Sequence, residues 1–410
     1  MKEKIKIGMV GLGHRGAMLM RYVIMTMEDV EVAAVCDLYK DRAEDAAKKV
    51  EEGGRPAPFV TTDYKEVLAM PEIDAVVVTT SWRDHFKVSI DAMKAGKYVG
   101  CEVGGAYSLE ECWQLVRTYE ETGSPCMMME NCCFGREELM VLNMVKKGVF
   151  GDVIHCSGGY RHDLRDEIAG GVEDRQYRLG EYLARNCENY PTHELGPIAR
   201  VLDINHGNRM LSLVSMSSKA AGMREYISAE RPADDPLQKC EFAQGDIVTT
   251  MIRCARGETI LLTLDTTLPR PYSRGFHVQG TKAMFEEDNL SIYVDSAENR
   301  KLHFRWKDQW GNVESFREEY EHPIWKDFLA RFSREEDIMI AHGGMDWLEF
   351  RAFFDSVKAG GPVPIDVYDM ATWASISVLS EQSIAQGSIP VAIPDFTEGK
   401  WVTPSAEVFA

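Results

Sequence analysis

An α/β chain in two domains, a doubly wound parallel sheet followed by an α+β domain with an open, mostly antiparallel sheet, follows from three features of this sequence. Short β-rich runs alternate with amphipathic segments from residue 4 to about residue 130, the pattern of a parallel sheet with crossover helices. The first of those runs, Lys4–Val10, enters Gly11-Leu12-Gly13-His14-Arg15-Gly16 and then an amphipathic stretch. After about residue 150 the texture changes to short strands separated by Gly, Pro and Asp, which suggests an antiparallel sheet.

In the GxGxxG turn the glycines have separate tasks. Gly11 makes the tight turn, Gly13 lets the backbone approach a pyrophosphate, and Gly16 packs helix against strand. A second β run, Val30–Cys36, ends in Asp37, at the distance where an acidic side chain meets the ribose hydroxyls of NAD. Lys40 and Arg42 close by leave a 2′-phosphate, and so NADP, open. The first domain is thus a Rossmann dinucleotide-binding domain, expected over residues 1–150.

The remaining elements follow in order. Ile73–Thr80 reads as a buried strand, Asp84–Ala95 as a helix and Tyr98–Glu102 as a strand. Ser108 with Glu111 forms a capping box opening a helix to about Thr122, because each side chain satisfies an orphan N–H of the other end of the turn. Pro125–Glu130 is a further strand, and the helix Glu137–Lys147 runs to Gly148 and Gly151, a hinge into a second domain over 151–410. There Ile154–Gly159, Met210–Ser217, Asp246–Arg253, Thr259–Thr266, Gly275–Gly280 and Lys282–Phe285 read as strands. Asp163–Ala184 is expected as a loop or lid, and a late helix over 367–386 is expected to pack back near the first domain. Ligand is expected outside the carboxyl ends of the parallel strands, where Asp37, Thr80, Glu102 and Glu130 lie.

Bulk properties narrow the function. The net charge of −19 over 410 residues argues against nucleic-acid or anionic-membrane partners. No apolar run reaches bilayer length and no secretion signal is visible at the start. The ten cysteines are scattered without a CxxC pattern, as reduced core residues of a cytoplasmic protein are. His155, His162, Asp163 and His193 match no standard zinc spacing, so no metal is expected.

A Rossmann domain followed by an open-sheet domain resembles the Gfo/Idh/MocA oxidoreductases. Where those enzymes usually carry Glu-Lys-Pro, this chain has Glu102-Val103-Gly104. The chain is more similar to the NAD-dependent α-N-acetylgalactosaminidases of glycoside hydrolase family 109. The similarity is carried by Ala92–Gly100, Leu109–Trp113, Glu130–Cys133, Gly159–Arg165, Tyr190–His193, Pro269–Ser273, His342–Asp346 and Pro364–Asp369. Glu194 stands where glycine is usual, and the segment before Tyr190 is shorter than in typical members.

This resemblance implies a glycosidase that oxidises sugar C3 transiently with NAD, eliminates the C1 substituent, adds water and re-reduces the ketone. It implies NAD contacts at His14, Arg15, Asp37, Trp82, His85, Glu102, Val103 and Asn131, beside the Gly11, Gly13 and Gly16 turn and the strand-end Thr80. It implies sugar contacts at Tyr160, Arg178, Tyr190, Thr192, His193 and Tyr272, and Glu130 and His342 are added to that set. His193 has the range for acid–base work at the C3 hydroxyl. Tyr160 serves as the C2 base if Arg161, Arg165 or Arg178 lowers its pKa. The alternatives are a net NAD-dependent sugar or cyclitol dehydrogenase and an NAD-binding regulatory protein without turnover. A homo-oligomer, dimer or higher, with a small-molecule glycoside as substrate completes the expectation.

Overall fold

The structure, a computed structural model, describes residues 4–171, 173–332 and 342–403. Contacts divide the chain into two compact units: Met1–Gly135 with Pro323–Thr372, and Arg136–His322 with Trp373–Pro404. The division thus falls at Gly135, upstream of the Gly148–Gly151 pair, and a late segment returns to the first unit.

The first unit is built on six parallel strands: β1 (Ile5–Val10), β2 (Val30–Cys36), β3 (Phe59–Thr61), β4 (Ala75–Val78), β5 (Tyr98–Glu102) and β6 (Cys126–Met129). Their order is β3-β2-β1-β4-β5-β6, so the chain reverses direction across the sheet between β1 and β4, the switch point where such sheets bind ligands. β1 and β4 are almost wholly buried apolar runs, as a sheet covered on both faces demands. The Ser108 capping box is present, with Glu111 reaching back, and Gly123 ends that helix in the left-handed region at φ 69°. The helix Met345–Ala359 lies on the sheet. A Cβ at Gly100 would meet the Phe353 ring at 3.2 Å, and Arg351 reaches Asp29 at 2.9 Å. The helix Pro323–Arg331 is tied in by Trp325, whose indole N–H donates to the Phe134 carbonyl at 2.9 Å.

The second unit carries an eight-stranded sheet of β7 (Val153–Gly158), β8 (Met210–Ser217), β9 (Ile247–Cys254), β10 (Thr259–Asp265), β11 (His277–Gly280), β12 (Ala283–Glu286), β13 (Ser291–Val294) and β14 (Val391–Ala392). Its order is β13-β12-β11-β7-β10-β9-β8-β14. Every pairing is antiparallel except β7 with β10. Along β9 burial alternates residue by residue; Val248, Thr250 and Ile252 face the core while Met251 points out, the signature of a sheet covered on one side. Ile154 and Met216 are also exposed apolar residues.

Asp163–Ala184, expected as a loop, instead contains two short helices, Arg165–Ala169 and Arg178–Ala184. Helices of one to two turns show no period that could separate them from a loop. The late helix runs Val367–Ala385, one residue shorter than expected. Ser377 and Ser380 on it fasten the loop at Glu188: the Ser377 hydroxyl donates to the Glu188 carbonyl at 2.6 Å, and the Glu188 N–H donates to Ser380 Oγ at 2.7 Å.

Candidate active site

In the first unit, the glycine turn has the geometry of a phosphate cradle. Gly11 sits at φ +94°, and a Cβ there would meet the Thr79 backbone at 2.5 Å. Only glycine tolerates both conditions. A Cβ on Gly16 would strike the Gly11 carbonyl and the Thr79 side chain, so helix and strand are in direct contact. At Gly13 a Cβ would meet nothing closer than Arg42 at 3.6 Å, leaving the backbone open at the mouth of helix His14–Tyr22, where N–H groups and the helix dipole favour an anion. Asp37 is buried at the end of β2; its carboxylate accepts from the Leu12 N–H at 2.6 Å and the Tyr39 N–H at 2.9 Å. Each carboxylate oxygen keeps a second lone pair for a ribose hydroxyl. Lys40 pairs with Glu44 at 3.4 Å, and Arg42 lies over the Tyr39 ring. These features fit a dinucleotide.

Around that turn, His14 is exposed, Trp82 and His85 are buried, and the Thr80 carbonyl lies 3.0 Å from His85 Nε2. Burial pushes the His85 imidazole down to about 4, so it is neutral at physiological pH. The Val103 N–H approaches Glu102 Oε2 at 3.3 Å. Gly104 lies against the Trp82 indole, which a Cβ would meet at 2.6 Å; this accounts for glycine after Val103.

Arg15 forms the centre of a charged network. Its Nε donates to Glu102 at 2.9 Å, and its two terminal nitrogens form a bidentate pair with Asp346, each at 2.9 Å. Asp346 also accepts from Asn131 Nδ2 at 2.8 Å and lies 2.9 Å from His342 Nδ1. Burial works against ionising Asp346, but Arg15 and His342 hold its carboxyl well below the usual carboxylate range. One turn on, Glu349 is fully buried, and neither carboxyl oxygen has a hydrogen-bond partner among the described residues. Burial, then Glu102 and Asp346, push its pKa well up. Asp346 and Glu349 went unforeseen; the only available signal was the position of Asp346 within the His342–Asp346 motif. Of the expected sugar ligands, Glu130 and His342 belong to this unit; the Glu130 carboxylate accepts from the Cys132 N–H at 3.1 Å.

In the second unit, the segment after β7 brings the aromatic candidates together. A Cβ at Gly159 would collide with the backbone of Thr263, so the glycine lets Tyr160 follow close along β10. Tyr160 is 7% exposed. Its ring lies 4.5 Å from Tyr190, 5.3 Å from His193 and 6.3 Å from Tyr272. Tyr190 and His193 meet edge to face at 4.7 Å. His193 and Thr192 open the helix Thr192–Val201; Thr192 is fully buried, and its hydroxyl has no hydrogen-bond partner among the described residues. Tyr272 is half exposed, a ring face open for contact.

Of the three arginines considered beside Tyr160, only Arg178 joins the cluster. Its guanidinium lies 5.4 Å over the Tyr190 ring and donates to Glu167 at 2.9 Å. Burial opposes its charge, but Tyr177, Tyr160 and Glu167 raise its pKa, so it stays cationic. Arg161 is turned to Asp288 and Arg165 to Asp163.

Behind His193, Glu194 is fully buried against Gly158 and pairs with Arg274 at 3.5 Å. The same guanidinium holds Glu138 at 2.6 Å and Glu287 at 3.0 Å. Burial of Glu138 raises its pKa, with Arg274 only partly offsetting it. Glu188, two residues before Tyr190, is also buried, and burial pushes its carboxyl to about 8 despite partial relief from the backbone at Tyr190.

Comparison with known proteins agrees with both halves of this geometry. Residues 134–403 match the family described as glycosyl hydrolase 109, C-terminal domain, and residues 5–130 match the oxidoreductase family with an NAD-binding Rossmann fold. A glycosyl hydrolase family 109 protein of Stenotrophomonas maltophilia is 38% identical over 97% of this chain and 90% of its own. An α-N-acetylgalactosaminidase of Tannerella forsythia is 36% identical over 97% of this chain and 87% of its own. Among solved structures, a levoglucosan dehydrogenase in complex with NADH and levoglucosan shares the fold at TM-score 0.70 and 18% identity, over 95% of this chain and all of its own. Myo-inositol dehydrogenase from Lactobacillus casei, in complex with NAD(H) and myo-inositol, does so at TM-score 0.62 and 16% identity, over 96% and 99%.

Proposed function

As the chain belongs to glycosyl hydrolase family 109, it is an NAD-dependent glycoside hydrolase of the α-N-acetylgalactosaminidase type, and we propose that His193 acts at the sugar C3 hydroxyl and Tyr160 at C2. The observation that carries this assignment is the packing of Tyr160, Tyr190, His193 and the Arg178 cation into one cluster of the second unit. When bound, NAD supplies the hydride acceptor that makes a sugar C–H bond at C3 labile and later restores it. Gly11, Gly13, Gly16 and Asp37 would hold it, with His14, Arg15, Thr80, Trp82, His85, Glu102, Val103 and Asn131 around them.

The chain's own residues have simpler tasks. His193 removes the C3 hydroxyl proton and returns it, work for which an imidazole suits neutral pH. Tyr160 takes the C2 proton and gives it back after the aglycone has left. Arg178 keeps a positive charge beside the oxygens on which negative charge develops, where a preorganised cation is worth more than one in water. Tyr272 offers an aromatic face to the sugar ring. No pair of carboxylates at a fixed separation is needed, unlike the usual glycosidase route.

The partner is a small-molecule glycoside. Among the described residues no helix is long and apolar enough to cross a membrane. A cytoplasmic setting is supported by ten cysteines in the thiol form, nine of them buried. A second copy of the chain suits the exposed apolar face at Met216 and Met251.

The test is incubation with an aryl α-N-acetylgalactosaminide, following aglycone and absorbance at 340 nm together. Aglycone release without stoichiometric NADH supports the glycosidase. NADH accumulating over an intact glycosidic bond would instead make the protein a sugar dehydrogenase.

A further inference from the structure

We propose that His162 is the proton store of the C2 base, taking the phenolic proton of Tyr160 as Tyr160 takes the C2 proton. This rests on the assignment of Tyr160 to C2.

The argument begins with the backbone. Tyr160 and His162 are two residues apart on an extended segment, so their side chains leave the same side. That segment is pinned to the end of β10: the Asp265 N–H donates to the Tyr160 carbonyl at 3.0 Å, and the His162 N–H donates to the Asp265 carbonyl at 2.9 Å. The two rings stand at 90° with centroids 5.6 Å apart, and Tyr160 Oη lies 3.0 Å from His162 Nδ1. Tyr272 packs against the same imidazole, edge to face at 5.0 Å, and its ring lies 6.3 Å from that of Tyr160. The ring is therefore fixed where Nδ1 meets the phenol.

A phenol bearing its own proton is a poor base. If its proton has somewhere to go, its oxygen can accept another in the same step. The groups facing His162 are Tyr160 and Tyr272 as rings, Arg178 and His193 as positive or potentially positive groups, and Glu167 and Asp163 as carboxylates. Burial, then Arg178, lowers the pKa of His162, so the imidazole is neutral near pH 7 and its Nδ1 lone pair can face the phenolic proton.

The step then balances. The C2–H bond of the 3-keto sugar breaks, its proton goes to the Tyr160 oxygen, and the phenolic proton moves to His162 Nδ1. The electron pair passes into the enolate of the C3 ketone, then forms the C1–C2 double bond as the C1–O bond breaks. The aglycone leaves with the C1–O bonding pair and takes a proton from solvent, which the water adding at C1 later gives back. Protonated His162 returns its proton through Tyr160 to C2 after water has added at C1. Glu167 and Asp163 face the transient imidazolium.

The test uses the full-length protein with NAD and the 1,5-anhydro analogue of the sugar, which has no C1 leaving group. Absorbance at 340 nm reads C3 oxidation, and deuterium uptake from D2O reads exchange at C2. His162→Gln keeps a side-chain acceptor for Tyr160 but cannot hold a proton. C2 exchange should fall about 100-fold or more, within the range for acid–base groups, while 340 nm absorbance stays within about threefold. In the parent protein, C2 exchange should lose rate as pH falls, with the limb lying below the ordinary histidine range because burial and Arg178 lower the His162 pKa, and the variant should lack that limb. H162Q exchange close to the parent, or an equal loss of both signals, overturns the proposal. Absence of the 340 nm signal in the parent overturns the underlying C3 reading instead, and this proposal with it.

Discussion

Replacing Glu188 by Gln should make the protein more stable, and increasingly so as pH rises. Glu188 is buried beside the Tyr190–His193 segment, and its carboxyl titrates at about 8 against an ordinary value of 4.5. A folded-state pKa above the unfolded one means that, between those two values, the native protein holds a proton the unfolded chain has released. Stability therefore falls with pH in that window, by about 1.4 kcal/mol per pH unit for one proton. Summed from 4.5 to 8 the penalty reaches about 5 kcal/mol, and about 3 kcal/mol of it is present at pH 7. Glutamine copies the neutral acid in shape and cannot ionise, so Glu188→Gln removes the penalty. The assay is urea unfolding of parent and variant at pH 5, 6, 7 and 8. Glu138 and Glu349 are present in both proteins, and their contributions cancel in the difference. A carboxylic-acid band in the parent-minus-variant infrared difference spectrum at pH 7 gives an independent reading. A stability difference that stays constant across this range, or a variant that loses ground as pH rises, would refute the argument.

Asp346→Asn should cost about 3–5 kcal/mol, because it leaves the Arg15 charge without its bidentate partner; thermal unfolding checks this, and NAD titration should show weakened binding. Glu349→Gln should act as Glu188→Gln does, stabilising the protein at pH 7 relative to pH 5, since Glu349 also holds in the fold a proton that the unfolded chain releases; urea unfolding at the two pH values checks this. Gly13→Asp places a carboxylate where the open backbone receives phosphate; the fold should survive while NAD affinity falls tenfold or more, about 1.4 kcal/mol or above, as read by calorimetry. Arg274→Met strips a shared guanidinium from Glu138, Glu194 and Glu287 and should destabilise by about 3–5 kcal/mol, seen as a lower midpoint in urea.

What could be read in the sequence was local. The GxGxxG turn, Asp37 and the Ser108 capping box each state their structure within a few residues, because turn geometry and capping are decided by neighbours in the chain. The strand run Met210–Ser217 has the same bounds in the structure as in the sequence. The two short helices within Asp163–Ala184 were not legible, and neither was Ser291–Val294, a four-residue strand. Elements of this length are held by tertiary contacts, and their own periodicity carries no signal.

The candidate site divides along the same line. Tyr160, Tyr190 and His193 stand out because their motifs are compact, whereas the sequence weighs His162 only for a zinc spacing it does not match, and its Nδ1 lies 3.0 Å from the Tyr160 hydroxyl. Asp346 and Glu349 show the limit more sharply. They share one helix and are three residues apart, yet one is held ionised and the other neutral. The difference lies in Arg15, 331 positions from Asp346 in the chain, whose fork takes both oxygens of Asp346 and none of Glu349. Among the described residues the Arg15 guanidinium faces Glu102, Asp346 and Glu349, and three ionised carboxylates in a buried cluster would leave negative charge without compensation. One acid must therefore keep its proton, and the one without a hydrogen bond to the arginine is the least costly to leave neutral. Sequence spacing supplies the acids; which of them is charged is decided by where a distant side chain points.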